Sequence, residues 1–302
     1  MDVASGYRAC VVGLGSMGMG AALSCVRAGI PTSGIDLSDV RRDQFAAAGA
    51  EGVGASVADL TGEFDAILVL VVNAAQARAV LLGDAGAATR IRKGGVAIVS
   101  CTQSSDDAKS LAADLDAMGV LMLDAPVSGG AAKAEAGQMT VMASGSEAAF
   151  AAAGPVLDAV AGKVYNIGTE IGQGAMVKVI HQLLAGVHIA AGAEAMAMAA
   201  RAGIPLDTMY DVVTNAAGNS WMFENRMKHV VDGDYTPLSA VDIFVKDLGL
   251  VTETGRSLKF PLPLASTAFA MFQNASNMGF GGQDDSAVIK TFSGIDLPEK
   301  EG

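Results

Sequence analysis

One charged side chain interrupts a long apolar segment of the chain. Lys178 lies near the start of the run 175–202, whose spacing of apolar residues predicts a helix that ends before Gly203. Burial of an amine favours its neutral form, and a neutral lysine can act as a general base. The same lysine could instead extend along the helix to solvent, and the sequence leaves these two interpretations equally open. Gln182 would share the helix face of Lys178, whereas His181 would not.

A glycine-rich loop near the beginning of the chain suggests a second kind of chemistry. The apolar run 9–12 before it predicts a strand, and a helical pattern follows it. In that context the G-x-G-x-x-G spacing predicts a dinucleotide-binding loop. Its first glycine permits a tight turn, its second lets a pyrophosphate approach the backbone, and its third allows the helix to pack against the strand. The residues of the loop are Gly13, Leu14, Gly15, Ser16, Met17 and Gly18.

The next predicted strand ends at Asp36, 18 residues after Gly18. A carboxylate at this point would accept hydrogen bonds from the ribose hydroxyls of the nucleotide and repel a 2′-phosphate, which predicts NAD rather than NADP. Arg41 and Arg42 follow closely, so the exclusion of NADP is not absolute. The alternative is a tight strand-to-helix turn that binds nothing, with Asp36 in solvent.

A polar loop follows the predicted strand 120–123. Ser128, Gly129 and Gly130 would expose several backbone N–H groups there, an arrangement that suits a carboxylate. In open α/β sheets, ligands bind outside the carboxyl ends of the strands, which is where this loop lies. From spacing alone, an ordinary loop without a ligand is the stronger interpretation.

Two further features of the sequence give little evidence for a functional site. Lys246 and Asp247 are adjacent in a predicted helix and would ordinarily form a surface ion pair of little energetic value. The three histidines have no recognised ligand spacing with cysteines or carboxylates, so we expect no metal site. These histidines are His181, His188 and His229.

Strand and helix patterns alternate along the first half of the chain. Helices of about 10–15 residues between apolar strands predict parallel pairing, and hence a Rossmann-type doubly wound α/β sheet. From Gly172 onward only helical patterns remain, which predicts an all-α C-terminal domain. We therefore expect an NAD-binding domain over residues 1–169 and an all-α domain for substrate binding and oligomerisation over residues 170–302. The apolar helix at 175–202 would suit either a homo-oligomer interface or an internal core.

The composition excludes several classes of protein and partner. A hydrophobic content of 51% is too high for a disordered chain, and 37 glycines with no G-X-Y period exclude collagen. The net charge of -12 disfavours nucleic acid and anionic membrane surfaces as partners, although local groups can still bind a small anion. Three scattered cysteines, and a longest clean apolar run of only 66–72, predict a soluble cytoplasmic protein without a signal sequence or membrane span.

Taken together, these segments resemble the β-hydroxyacid dehydrogenase family, which includes 3-hydroxyisobutyrate dehydrogenases and tartronate semialdehyde reductases. The resemblance spans nearly the whole chain, and the order and spacing of its motifs are together highly specific. The motifs occupy residues 13–18, 124–130, 174–178, 246–248 and 284–287.

The resemblance implies a role for each motif. Lys178 would be the catalytic acid/base, and the Ser-Gly-Gly loop that begins at Ser128 would hold the substrate carboxylate. Lys246 would lie beside the nicotinamide. Thr102 would touch the cofactor at the end of a strand that reads Val-Ser-Cys-Thr rather than the family's usual Asp-x-Ser-Thr.

One departure from the family pattern bears on the substrate. His181 and Gln182 stand where the family usually has two asparagines, the second of which binds substrate. Together with the Gly-Asn-Ser-Trp segment at 218–221, this pattern resembles the L-threonate dehydrogenase branch, whose members oxidise four-carbon sugar acids at C2 with NAD. The resemblance implies a step in carbohydrate metabolism, with both side chains binding substrate hydroxyls. The alternatives are a 3-hydroxyisobutyrate dehydrogenase, a tartronate semialdehyde reductase, or a non-catalytic dinucleotide-binding module, and the presence of Lys178 argues against the last.

Overall fold

The computed structural model describes residues 6–300, which form two compact units divided between Lys178 and Val179. The first unit is built around a nine-stranded sheet. Its strands are β1 (Ala9–Val12), β2 (Thr32–Ile35), β3 (Gly52–Gly54), β4 (Phe64–Val69), β5 (Ile91–Val99), β6 (Leu121–Asp124), β7 (Val127–Ser128), β8 (Met139–Ser144) and β9 (Ala161–Gly168). Its helices are α1 (Gly18–Arg27), α2 (Asp39–Ala47), α3 (Ala74–Leu82), α4 (Ser105–Ala117), α5 (Gly130–Glu135) and α6 (Glu147–Val160). Helix α7 (Gln173–Arg201) begins in this unit and continues into the second.

The strand order is β3-β2-β1-β4-β5-β6-β8-β7, with β9 hydrogen-bonded to β8. Because β1 lies between β2 and β4, the sheet extends from β1 in both directions, and the predicted doubly wound α/β fold is confirmed. Pairing is parallel from β3 through to β6 and again between β8 and β9. Strand β8 runs antiparallel to β6 and β7. The segment between β6 and β8 holds only a two-residue strand and a six-residue helix, which is shorter than the crossover helices that join parallel neighbours.

The strands of the parallel region end at the same level. Val12 of β1 pairs with Ile35 of β2 and Val69 of β4, Val69 pairs with Val99 of β5, and Val99 pairs with Asp124 of β6. The loops that follow these residues therefore leave the sheet along one edge. The strands themselves are buried on both faces, as their continuous apolar sequences predict.

The second unit is helical, as the sequence predicts. Its helices after α7 are α8 (Leu206–Thr214), α9 (Trp221–Asp232), α10 (Val241–Ser257) and α11 (Pro263–Ala275), followed by a 3₁₀-helix over Asp285–Thr291. They pack around a core that includes Ile189, Met196, Met227, Phe244 and Phe272. The rings of Phe244 and Phe272 stack with their centroids 5.2 Å apart.

Helix α7 is long and apolar enough to cross a membrane, judged by length and composition alone. Half of its most apolar stretch is buried inside the protein, and core helices of soluble proteins meet the same criterion. Its apolar residues divide between two environments. Ile189 and Met196 lie in the core of the second unit, whereas Ile180, Leu184 and Met198 are exposed.

A buried ion pair joins helix α9 to the 3₁₀-helix. Arg226 Nε lies 2.7 Å from Asp285 Oδ1, and the Asp285 side chain is wholly buried. Burial raises the pKa of Asp285 from its ordinary value of 3.8 to about 7, although the Arg226 guanidinium acts in the opposite direction. The neighbouring Asp284 accepts hydrogen bonds from the backbone N–H groups of Leu238 and Ser286. Two adjacent carboxylates are thus accommodated in the core by one cation and by backbone donors.

We expect Arg226→Met to lower the free energy of unfolding at pH 8 by about 3–5 kcal/mol, because it leaves the Asp285 carboxylate buried without its cation. The folded-state pKa of Asp285 exceeds its unfolded value, so the folded protein binds the extra proton and this carboxyl favours folding more as pH falls from about 7 toward 4. The loss caused by Arg226→Met should therefore shrink at pH 5.5. Urea unfolding followed by circular dichroism at both pH values measures it.

The double variant Arg226→Met/Asp285→Asn is the matched control, since it removes the charge together with its partner. We expect it to be more stable than Arg226→Met at pH 8. Equal stability of the wild type and Arg226→Met at pH 8 would contradict the buried ion pair.

Candidate active site

The glycine-rich loop connects β1 to α1. Gly13 has a φ of +91°, and a Cβ atom there would lie 2.6 Å from the carbonyl oxygen of Leu70. A Cβ at Gly18 would lie 1.7 Å from the carbonyl oxygen of Gly13, so the start of α1 passes directly over the end of β1. At Gly15 the nearest atom would be Arg41 Nη1 at 3.7 Å, which leaves the backbone open to a ligand. The loop therefore combines a closely packed turn with an accessible backbone, the combination that a pyrophosphate requires.

The other three residues of the loop have different surroundings. Leu14 is buried in the core, Ser16 is exposed, and Met17 is the N-cap residue of α1. The Met17 side chain makes no capping hydrogen bond. The first N–H groups of a helix have no partner within the helix, and a phosphate can accept hydrogen bonds from them. The start of α1 thus fits the pyrophosphate of a dinucleotide.

Asp36 directly follows β2, and two backbone groups hold its carboxylate in place. The N–H of Leu14 donates to Oδ2 and the N–H of Ser38 donates to Oδ1, each at 2.8 Å. Arg41 Nη1 lies 3.6 Å from Oδ2, and Arg42 donates to the Asp36 carbonyl oxygen at 2.6 Å. The carboxylate is therefore fixed beside the glycine loop, with the Arg41 cation next to it.

Ser128 ends β7, where it pairs with Thr140 of β8. The two residues that follow have left-handed backbones, with φ of +133° at Gly129 and +69° at Gly130. Residues with a side chain rarely adopt such angles, so the turn requires glycine at both positions. A Cβ at Gly129 would also lie 2.8 Å from the side chain of Lys133. This turn brings Ser128 and the backbone of both glycines to the end of a strand.

Lys178 lies on α7, and only 7% of its surface is exposed. Its side chain therefore does not extend into solvent, which was one of the two interpretations that the sequence leaves open. Thr102 is half-buried and lies three residues beyond the end of β5. Ser100 lies between the end of β5 and Thr102. Its hydroxyl donates to the carbonyl oxygen of Ala125 at 2.8 Å and so connects the loop after β5 to the loop after β6.

In the second unit, three candidate residues are joined through Asp247. Lys246 Nζ donates to Asp247 Oδ1 and Gln182 Nε2 donates to Asp247 Oδ2, both at 2.5 Å. His181 Nδ1 lies 2.9 Å from Gln182 Oε1, which requires the proton of the imidazole to be on Nδ1. Asp247 is only 2% exposed, so the prediction of an ordinary surface ion pair is wrong: a carboxylate buried in the helical core needs both donors.

Sequence reasoning overlooked the burial of two carboxylates beside candidate ligand-binding residues, Asp124 and Asp247. Asp124 was expected only as the first residue of a polar loop, yet it is wholly buried at the end of β6. Burial raises the pKa of Asp124, while backbone hydrogen bonds from Ala175 and Gly172 lower it. Asp247 was expected to lie at the surface. For Asp124 the available signal was an acidic residue between two apolar neighbours, Leu123 and Ala125, whereas Asp247 follows the charged Lys246 and has an apolar neighbour only at Leu248.

The candidate residues divide between the two units. The first unit holds the glycine loop, Asp36, Thr102, the Ser-Gly-Gly turn and Lys178, and the second holds His181, Gln182 and Lys246. Over residues 6–300, no group of three or more His, Cys, Asp and Glu side chains is arranged to hold a metal ion.

Comparison with known proteins identifies the family. Residues 8–168 match the model for the NAD binding domain of 6-phosphogluconate dehydrogenase, and residues 172–292 match the NAD-binding model of NADP-dependent 3-hydroxyisobutyrate dehydrogenase. The chain is 66% identical to an L-threonate dehydrogenase of Haemophilus influenzae, over 97% of this chain and 98% of that protein. It is 65% identical to an L-threonate dehydrogenase of Escherichia coli over 99% of both chains.

Comparison with solved structures identifies the same family. A crystal structure described as a 3-hydroxyisobutyrate dehydrogenase from Salmonella typhimurium is 64% identical, covers 95% of this chain and 100% of its own, and superposes with a TM-score of 0.92. A 3-hydroxyisobutyrate dehydrogenase of Mycobacterium tuberculosis with L-serine is 28% identical, with a TM-score of 0.81 over 95% of this chain and 99% of its own. The chain belongs to the 3-hydroxyisobutyrate dehydrogenase-like family.

Membership confirms the family resemblance that the motifs predict. This dehydrogenase is an oxidoreductase that acts on the CH–OH group of a hydroxy acid with an NAD(P) cofactor. The geometry of the loop between β1 and α1 agrees with that assignment, because its backbone is open at Gly15 and its helix start lacks a side-chain cap.

The tight turn of this dehydrogenase gives a direct test of cofactor binding. We expect Gly18→Ala to raise the Kd for NADH at least tenfold, about 1.4 kcal/mol, because the added methyl group would overlap the Gly13 carbonyl oxygen and open the turn. Fluorescence titration with NADH measures the Kd.

Gly154→Ala is the matched control, since a Cβ at Gly154 on α6 meets no atom within 4 Å. Its Kd should equal that of the wild type, and its thermal stability should be equal or higher because alanine favours a helix. An unchanged Kd in Gly18→Ala would contradict the role of this loop.

Proposed function

We propose that this dehydrogenase oxidises L-threonate at C2 to the corresponding 2-oxo acid, with NAD as the cofactor. One observation carries the proposal: the Haemophilus and Escherichia relatives, 65–66% identical over nearly their whole length, are L-threonate dehydrogenases. His181 and Gln182 support it as well. Both side chains can exchange hydrogen bonds with hydroxyl groups, and a four-carbon sugar acid offers several.

The proposed preference for NAD rests on Asp36. Its carboxylate is fixed beside the glycine loop by two N–H donors, where it can accept hydrogen bonds from ribose hydroxyls and would repel a 2′-phosphate. The backbone of the loop from Gly13 to Gly18 would hold the pyrophosphate, and Thr102 and Lys246 would contact the nicotinamide half. When bound, the nicotinamide accepts a hydride and so supplies the oxidising chemistry.

Lys178 is the proposed general base. In its neutral form the amine accepts the proton of the substrate C2 hydroxyl, while the C2 hydrogen leaves as hydride and the C2–O bond becomes a carbonyl. The hydroxyl of Ser128 and the backbone N–H groups of Gly129 and Gly130 hold the carboxylate of the substrate. These contacts orient C2 toward the base, and orientation of this kind contributes a large part of enzymatic rate enhancement.

The remaining polar contacts would come from Gln182 and His181, which bind the other substrate hydroxyls. Asp247 holds Gln182 in one orientation through the 2.5 Å hydrogen bond to its Nε2, and Gln182 in turn orients His181. A side chain that is already fixed loses less conformational entropy when it binds a ligand.

We also propose a division of labour along the chain. Residues 1–169 would bind the cofactor, apart from the contact with Lys246. Residues 170–302 would bind the substrate, apart from its carboxylate at the Ser128 turn, and assemble a homo-oligomer, a dimer or tetramer. The family-model bounds of 8–168 and 172–292 support the boundary between the two parts, although both models are described as NAD-binding. The exposed side chains of Ile180, Leu184 and Met198 on α7 support an apolar interface with another copy. The proposed setting is cytoplasmic carbohydrate metabolism, without nucleic acid or membrane partners.

A second candidate function is oxidation of 3-hydroxyisobutyrate. The observation that favours it is the description of the Salmonella structure, which names that activity at 64% identity. A tartronate semialdehyde reductase would use the same general acid/base with a smaller substrate. The three activities differ in the number of hydroxyl groups on the substrate, so the substrate itself distinguishes them.

Purified enzyme assayed for NADH formation should oxidise L-threonate at least tenfold more efficiently, measured as kcat/KM, than 3-hydroxyisobutyrate or glycerate. With L-threonate, NAD should be preferred over NADP. Turnover of 3-hydroxyisobutyrate with inert L-threonate would replace the proposed substrate. Absence of turnover with every hydroxy acid, despite NADH binding, would favour the non-catalytic module.

Lys178→Ala should lower kcat with the preferred substrate at least a hundredfold, because a positioned base contributes about 10²–10⁴-fold. The Kd for NADH should change less than about twofold. The matched control is Lys163→Ala on the exposed part of β9, which should retain wild-type kcat. A Lys178→Ala enzyme with a kcat within tenfold of the wild-type value would contradict the role of Lys178 as the general base.

A further inference from the structure

The buried carboxylate of Asp124 gathers three donors from distant parts of the chain. Its Oδ2 accepts the backbone N–H of Ala175 at 2.8 Å, the backbone N–H of Gly172 at 3.0 Å and the hydroxyl of Ser144 at 3.3 Å. The Ser144 hydroxyl oxygen in turn accepts the backbone N–H of Gly174 at 3.0 Å. Asp124 and Ser144 therefore bind three backbone N–H groups between residues 172 and 175.

These N–H groups belong to the start of α7. The first N–H groups of a helix lack partners within it and are usually satisfied by a side chain immediately before the helix. Here the acceptors come from 48 and 30 residues away in the chain. A carboxylate at the N-terminus of a helix also interacts favourably with the helix dipole. Asp124 and Ser144 thus cap α7 from the sheet.

The same contact fixes the position of the first turn of α7 on the sheet. Asp124 and Ser144 face each other as the one register pair between β6 and β8. A Cβ atom at Gly174 would lie 2.6 Å from the carbonyl oxygen of Met142 and 2.7 Å from that of Asp124. The first turn of α7 therefore rests directly on the ends of both strands, and glycine is needed for that approach.

Two functional segments meet at this cap. Lys178 lies three residues beyond Ala175 on α7, less than one helical turn away. In the other direction, Ser128 lies four residues after Asp124. Asp124 is thus close in sequence to the proposed carboxylate-binding turn, and its carboxylate is hydrogen-bonded to the helix that carries the proposed base.

We propose that Asp124 is a positioning residue, which sets Lys178 relative to the Ser128 turn by capping α7, with Ser144 as its partner. The inference rests on the proposed roles of those two elements. Asp124 itself touches neither substrate nor cofactor in this scheme. A shift of about 1 Å in a reacting group can lower a rate about a hundredfold, so loss of the cap should affect turnover more than binding of the cofactor.

The first experiment compares three variants in steady-state kinetics and in NADH titration. Asp124→Ala should lower kcat at least tenfold while the Kd for NADH stays within twofold. Asp124→Asn retains a carbonyl oxygen that can accept the same N–H groups, so it should recover kcat to within about threefold of the wild type. Ser144→Ala loses only the Gly174 bond and its own bond to Asp124, and should lower kcat by a smaller factor than Asp124→Ala.

The second experiment measures the stability of the capped start of α7 directly. Hydrogen exchange measured by mass spectrometry on peptides covering 172–178 should be faster in Asp124→Ala and Ser144→Ala and close to wild type in Asp124→Asn. Ser146→Ala is the matched control, because Ser146 caps α6 through the N–H of Ala149 and no candidate residue lies on α6. It should lower the thermal midpoint but leave kcat and the exchange of 172–178 unchanged.

These measurements test the proposed base, Lys178, separately from the proposed positioning role of Asp124. A Lys178→Ala enzyme with wild-type kcat would contradict the proposal that Lys178 is the general base, whatever the exchange data show. An inactive Lys178→Ala enzyme together with wild-type kcat in Asp124→Ala would overturn the positioning role alone. If Asp124→Ala does not fold, unchanged kcat and unchanged exchange at 172–178 in Ser144→Ala overturn it, and a decrease in kcat with faster exchange supports it.

Discussion

Backbone hydrogen bonds between neighbouring strands decide where the chemistry of the first unit can occur. Val12, Val69, Val99 and Asp124 share one row of the parallel sheet, so the loops that follow β1, β4, β5 and β6 begin at the same level. A shift of any strand by one residue would exchange its side chains between the two apolar cores, so close packing within each core fixes this alignment. The glycine loop, Thr102 and the Ser-Gly-Gly turn are therefore placed by the register of the sheet.

Buried carboxylates give each unit a further means of fixing polar groups. Asp124 in the first unit and Asp247 in the second each accept hydrogen bonds from more than one donor, and each adjoins a candidate ligand-binding segment. A buried carboxylate without donors would be costly, so these contacts favour the arrangement in which the surrounding donors reach Asp247 and the Oδ2 atom of Asp124. The rigidity of Gln182 and of the start of α7 follows from this requirement.

Local features of the fold and site could be read from the sequence, whereas long-range ones could not. The strand–glycine–helix pattern around Gly13 and the apolar strands predict the doubly wound sheet because their cause is local: a backbone angle, or burial on two faces. The reversal of β8 depends on a short connection whose pairing no periodicity reveals. The capping of α7 by Asp124 joins residues 48 positions apart, and the burial of Asp247 depends on how α10 packs. Lys178 lies between these cases, since the pattern shows an unusual lysine but not its exposure.

The acidic composition and an anionic substrate place opposite demands on the protein. The net charge of -12 repels anions at a distance, and Lys246 adds little attraction because the buried Asp247 neutralises it. The proposed contacts to the substrate carboxylate are the hydroxyl of Ser128 and the backbone N–H groups of the two glycines after it. Such fixed dipoles act at short range and carry no net charge. The proposed general base also has to be neutral, and the acidic net charge of the protein opposes deprotonation of a lysine. The proposed base therefore depends on its local surroundings, in which only 7% of the Lys178 surface is exposed.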